Sequence, residues 1–235
     1  MKNSILFVFV CAFLLSCTVK TGSGTIVEET RSVDPFHGVS VGQGIHVLIA
    51  EGDAQTVRVS ADDNLIHLLS TQVEAGILKI QFQDKVSLID ANITVTISNL
   101  GHLDELTAGS GAEIKTEGVM KHSQNIQFHL SSGSRAEVTV DAPVIQIETG
   151  SGADAELKGL TRKLTATASG GSSLDASDLK SEEADLTAES GSSLKAFASL
   201  SVSAKASGGA SIRYEGPAQL RASTSEDSGG SVRKE

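Results

Sequence analysis

The second half of the chain alternates apolar and polar residues with a period of two. Before Gly133 the apolar positions are Ile126, Phe128 and Leu130, with Gln127 and His129 between them. Before Gly150 they are Ile145 and Ile147; before Gly171, Leu164, Ala166 and Ala168; before Gly191, Ala184, Leu186 and Ala188; before Gly209, Val202, Ala204 and Ala206. Period two is the mark of a strand with one buried face. A second, shorter strand follows each glycine cluster, carrying Ala136 and Val138, Ala153 and Ala155, Leu174 and Ala176, Leu194 and Ala196, Ile212 and Tyr214.

The glycines set the repeat. Taken as corners, Gly111, Gly133, Gly150, Gly171, Gly191, Gly209 and Gly230 lie 22, 17, 21, 20, 18 and 21 residues apart. Each unit therefore reads as strand, Gly-Ser corner, strand and return turn in about twenty residues. One such unit cannot bury its apolar face alone; stacked in parallel, the units bury every inward column at once. The predicted fold is all-β, a β-solenoid with one chain winding through parallel coils. Gly reaches the left-handed conformations a sharp corner needs, and Ser bonds nearby backbone. The variable spacing places insertions in the turns.

The first half is less regular. Val39 and Val41, Ile45 to Ile49, Val57 and Val59, Ile77 to Phe82 and Ile93 to Ile97 read as strands, and Asn64 to Ser70 as one helical turn. These are expected to be longer, less repetitive coils that cap the start of the same stack, with a separate N-terminal β-domain as the alternative.

Composition narrows the interior. Aromatic residues make up 3% of the chain and Trp is absent, so the core must be thin and filled by Val, Ile, Leu, Ala and Thr. The net charge of −10 excludes the basic footprint of a nucleic-acid binder. It also offers no pull toward anionic lipid.

Residues 1–17 read as a targeting segment. Lys2 precedes an apolar run of eleven residues, Ile5 to Leu15, too short to span a bilayer as a helix. The run ends in Leu14-Leu15-Ser16-Cys17, which resembles the bacterial lipobox and implies lipidation of Cys17. An ordinary secretory signal is the alternative. Cys11 would leave with the leader, so Cys17 would be the only Cys of the mature chain. Residues 18–32 then read as a tether, with Thr18 to Gly24 its flexible part, and residues 33–235 as the head domain. The implied address is the cell envelope, most simply the outer membrane.

Beyond these patterns the sequence resembles a known family. Arg31-Ser32-Val33-Asp34-Pro35-Phe36-His37-Gly38 leads into Gly44-Ile45-His46-Val47, and the chain continues through "ADDNLI" and "LTAGSGAEI" with its later echoes. This is similar to the head GIN domain family, secreted or lipid-anchored proteins of Gram-negative bacteria. His46 stands where the family name expects Asn. The resemblance implies a right-handed parallel β-helix and implies no activity.

Site chemistry is sparse. Dinucleotide and P-loop readings need glycines that open a helix, and here they lead into strand. Calcium β-roll repeats have half this period; only Asp154 and Asp175 follow a corner. His37, His46, His67, His102, His122 and His129 form no ligand pair at metal spacing. Thr165 and Thr167 do not continue as a regular array. No cofactor and no metal are expected. The sequence points to a lipid-tethered binding, adhesion or scaffolding module whose partner is the membrane through Cys17 together with an envelope protein, a glycan or further copies of itself. A polysaccharide-active lyase or hydrolase is the enzymatic alternative.

Overall fold

The structure is a computed structural model that describes residues 18–52, 54–83, 86–98, 103–222 and 229–235. The leader, Cys17 and His102 lie outside the described residues. The chain enters as β1 (Thr18–Thr21), β2 (Ile26–Arg31), β3 (Gly38–Val41), β4 (His46–Ala50) and β5 (Thr56–Asp62). A single 3-10 turn, Ile66–Leu68, falls inside the expected helical turn. Then come β6 (Leu69–Glu74), β7 (Ile77–Phe82), β8 (Val86–Ile89), β9 (Ile93–Ser98), β10 (Glu105–Ala108), β11 (Glu113–Glu117), β12 (Met120–Lys121) and β13 (Ile126–Leu130). The long strands β14 (Arg135–Thr149), β15 (Asp154–Ala168), β16 (Ser173–Ala188) and β17 (Ser193–Ala206) are each one coil, bent in the middle. β18 (Ser211–Glu215), β19 (Gln219–Ala222) and β20 (Ser231–Lys234) complete the stack.

Two parallel sheets face each other across the core. The sheet before the corners runs β7–β3–β10–β13 and continues through the second halves of β14 to β17 into β19. The sheet after the corners runs β9–β4–β11 and continues through the first halves of β14 to β17 into β18 and β20. The fold is a β-solenoid, and the same sheets run through both halves of the sequence. Aligned positions Arg135, Asp154, Ser173, Ser193, Ser211 and Ser231 give coils of 19, 19, 20, 18 and 20 residues.

Alternation becomes burial. Val47, Ile114, Ala136, Ala155, Leu174, Leu194 and Ile212 form one inward column, each at most 2% exposed. The core narrows along the stack: the column that holds Val41, Ala108 and Leu130 continues as Thr149, Ala168, Ala188 and Ala206. Thr149 is accommodated because its hydroxyl lies 3.0 Å from the buried hydroxyl of Ser172.

The first coils depart from chain order. β3 and β4 lie between the β7–β9 coil and the β10–β11 coil. Outside β9 the antiparallel strands β5 and β2 are added, and outside β7 the antiparallel β6. Antiparallel strands close the end of a parallel stack without a further coil.

The expected tether over residues 18–32 is corrected by this cap. β1 pairs in parallel with β8, and β2 pairs along its full length with β5. The "ADDN" stretch is the clamp. The buried Asp62 carboxylate accepts the amides of Gly24 at 2.7 Å and Asn92 at 2.8 Å. The Asn64 side chain donates to the Thr21 carbonyl at 2.8 Å and accepts the Ser23 amide at 3.1 Å. Buried carboxylates require such donors, and these bonds fix a segment whose own pattern is too polar to read as core strand.

Candidate functional site

The corners form a single column, and their geometry is that of a type I′ turn with two successive left-handed residues. The central pairs are Gln43-Gly44, Ser110-Gly111, Ser132-Gly133, Ser151-Gly152, Gly170-Gly171, Ser190-Gly191 and Gly208-Gly209, with φ between 49° and 77°. The first and fourth residues of each turn are joined by a backbone bond, as from the Ala112 amide to the Gly109 carbonyl at 3.1 Å. Adjacent corners are bonded too: the Gly191 amide donates to the Gly208 carbonyl at 2.9 Å, and the Gly171 amide to the Ser190 carbonyl at 3.0 Å. Gly111, Gly133, Gly171, Gly191 and Gly209 thus occupy the second left-handed position. Gly150 and Gly230 do not. Gly150 opens its turn, and Gly152 takes the left-handed place; at the last corner Gly229, at φ 82°, is left-handed and Gly230 is not. The residue after the left-handed pair points inward. Where it is Ser134, Ser172 or Ser192, its buried hydroxyl donates to a carbonyl of the preceding coil, as Ser192 does to Ala168 at 2.8 Å. Backbone bonds along the column close each corner, and the buried hydroxyls of Ser134, Ser172 and Ser192 are spent on it.

Several titratable side chains on the outer faces pair with one another across neighbouring coils. Glu113 and Arg135 are register partners, and so are Arg135 and Asp154, which pair at 3.3 Å. His46 meets Glu113 at 2.6 Å, His37 meets Asp104 at 2.7 Å and His129 meets Glu148 at 3.4 Å. Lys115 pairs with Glu137 at 2.9 Å; the contact raises the lysine and lowers the glutamate. Asp175 lies between Ser177 and Lys195. Among the described residues no group of three or more His, Cys, Asp or Glu could hold a metal ion.

The feature left over is at the return edge, where the long strands bend. Register brings Asp141, Leu160, Lys180 and Phe197 into one outward column. Beside it run Pro143, Arg162, Glu182 and Ser199, and together they line a groove of about 500 Å³. Leu160 is 56% exposed, and Leu200, in the same turn as Ser199, is 57% exposed. The Lys180 ammonium lies 4.3 Å from the centre of the Phe197 ring, an attractive cation–π contact, and donates to the Ser177 carbonyl at 2.9 Å. The hydroxyls on the groove floor are already engaged: Thr161 faces the carbonyls of Pro143 and Lys163 at 3.3 and 3.2 Å, and Ser181 donates to that of Phe197. The groove offers apolar surface flanked by charges of both signs, without an activated nucleophile.

The sequence carried only a faint trace of it. Leu160 and Leu200 lie forty residues apart, two coils, each in a return turn, but return turns also hold buried apolar residues such as Leu179 and Ala198, so the sequence alone does not single the two out.

No curated protein matches the sequence. The fold is that of a crystal structure of a "putative adhesin" from Bacteroides fragilis, with a TM-score of 0.85 at 13% identity over 92% of this chain and 100% of that one. A "putative lipid binding protein" from Parabacteroides distasonis gives a TM-score of 0.74 at 16% identity over 93% of this chain and 100% of that one. A "putative adhesin" from Parabacteroides merdae gives 0.70 at 13% identity with the same two coverages. At such identities the likeness concerns the fold. The family model described as "Putative auto-transporter adhesin, head GIN domain" matches residues 35–218, and the chain belongs to that family.

Proposed function

We propose that this protein is a non-catalytic binding module of the bacterial envelope, anchored by lipid at Cys17, that docks an envelope protein or glycan along its return edge. The observation that carries the reading is the groove. Leu160 lines it and is exposed, Phe197 lines it half-buried beneath Lys180, and Leu200 is exposed in the same turn as Ser199, on a molecule whose other large apolar side chains are mostly inward. An apolar strip rimmed by Asp141, Arg162, Lys180 and Glu182 suits partner docking, with an apolar centre and a polar rim. Membership of the adhesin family supports binding over turnover. One structural neighbour is described as a putative lipid binding protein, which adds lipid to the ligand classes to be tried.

The test is capture. The chain from Thr18 onward is immobilised and offered envelope extract and a panel of bacterial and host polysaccharides, beside Leu160→Asp and Phe197→Ser variants of equal thermal stability. A protein or glycan held by the wild type and lost from both variants supports the reading. A partner held equally by all three overturns the groove as its site. Depolymerisation of a polysaccharide, abolished by changing the groove acids or lysine, replaces the binding module by an enzyme.

A further inference from the structure

The capped end carries an apolar surface that neither the corner column nor the groove uses. β1 and β8 form a two-stranded parallel ribbon off the main sheets, pairing Val19 with Ser87, Lys20 with Leu88 and Thr21 with Ile89. Register partners share a face. Leu88 packs inward against the core. The opposite face presents Val19, Thr21, Ser87 and Ile89, all exposed, with Val19 at 57% and Ile89 at 50%. The ribbon is fixed to the cap by the Gly22 amide on the Ile89 carbonyl at 3.1 Å and by the Asp62 and Asn64 clamp.

We infer that this outer face rests in the lipid headgroup layer, so that the capped end of the solenoid is its membrane-facing end. The inference rests on the lipid anchor at Cys17. β1 begins at Thr18, so Val19 is two residues from the anchor, at most about 7 Å of extended chain. The headgroup layer on each side of a bilayer is about 5–8 Å deep. A lipid on Cys17 therefore carries Val19 into that layer, and the rigid pairing carries Ile89 with it. The two large apolar side chains gain by leaving water there. The flanking hydroxyls of Thr21 and Ser87 suit a hydrated, hydrogen-bonding environment. Exposed Asp90 follows Ile89, and exposed Asp63 accepts the Ser23 hydroxyl just past β1 at 2.6 Å, so the contact depends on apolar burial rather than on anionic lipid. Along the sheet after the corners the column from Val95 to Val232 spans eight strand spacings, about 38 Å, which sets the last coil well clear of the surface.

The experiment uses the full chain purified from cell membranes, with Cys introduced by Ile89→Cys, Ser87→Cys or Arg233→Cys and labelled with an environment-sensitive fluorophore. Each protein is placed in phosphatidylcholine vesicles with and without a spin-labelled lipid quencher. Positions 87 and 89 are expected to show blue-shifted emission that the quencher removes, and position 233 neither effect. Mass spectrometry of the N-terminal peptide on the same samples separates the two readings. A lipidated chain with positions 87 and 89 unquenched, or with 233 quenched as strongly, overturns the orientation and leaves the anchor standing. A blue shift that the lipid quencher does not touch places a second copy on this face and overturns it too. A chain without lipid overturns both.

Discussion

At the scale of single residues, the left-handed glycines differ in what a side chain would meet. Gly191 has φ 73° and open space where a Cβ would go, so Gly191→Ala strains only the backbone, by about 1–2 kcal/mol. For a chain of this size that lowers the melting temperature by about 2–8 °C. Gly159, at φ 119°, would place its Cβ 2.0 Å from the Val140 carbonyl oxygen of the neighbouring coil. Gly159→Ala must therefore move backbone as well, and calorimetry should show a clearly larger loss; an equal or smaller one would contradict the close approach. Asp175 gives a second residue-level expectation. Burial alone would raise its carboxyl, but the Ser177 hydroxyl at 2.6 Å, the Ser177 amide and the Lys195 ammonium at 3.1 Å hold it below the ordinary range. A carboxyl depressed in the folded state stabilises above its unfolded pKa near about 4 and loses that contribution as pH falls through the folded value. The melting-temperature gap between wild type and Asp175→Asn should be widest near neutral pH and close in acid. A gap that widens in acid would contradict the assigned contacts.

At the scale of elements, the two turns of a coil have different tolerances. Every complete corner keeps four residues, while coil lengths of 18 to 20 are taken up at the return edge, where pairing shifts between Ala176 and Lys180 and between Ser181 and Glu183. One glycine inserted between Ser199 and Leu200 should leave the melting temperature within a few degrees of wild type. The same insertion between Gly191 and Ser192 turns Leu194 and Ala196 outward and should abolish cooperative unfolding in circular dichroism. Equal effects would mean that the corner is not the register-setting element. The legibility of the sequence follows the same division. Alternation and glycine clusters announced the coils because both are local. The left-handed glycines beside Gly150 and Gly230 are Gly152 and Gly229: a cluster holds more than one glycine, and its spacing does not say which of them bends. The Thr18–Arg31 strands were illegible because their partners are distant, β8 sixty-eight residues from β1 and β5 twenty-six to thirty-six from β2, and β2 is an edge strand with a weak alternation. The groove was illegible as a site because it exists only once register stacks Asp141, Leu160, Lys180 and Phe197.

At the scale of the whole molecule, exposed large apolar side chains gather at two places, the return edge with Leu160 and Leu200 and the β1–β8 ribbon with Val19 and Ile89. In the proposed reading they divide the labour of an anchored binding module, one facing the bilayer and the other open to a partner along the side of the stack. Both roles depend on the same residue. The most direct test is the mass of the N-terminal peptide of the protein made in a Gram-negative host and recovered from its membranes, with Cys17→Ala as control. The expected result is a chain that begins at Cys17 and carries diacylglycerol on its sulfur, and a variant that carries no lipid. A chain that keeps residues 1–16, or one that is cleaved elsewhere and leaves Cys17 unmodified, would contradict an account in which the solenoid stands on the membrane by its capped end.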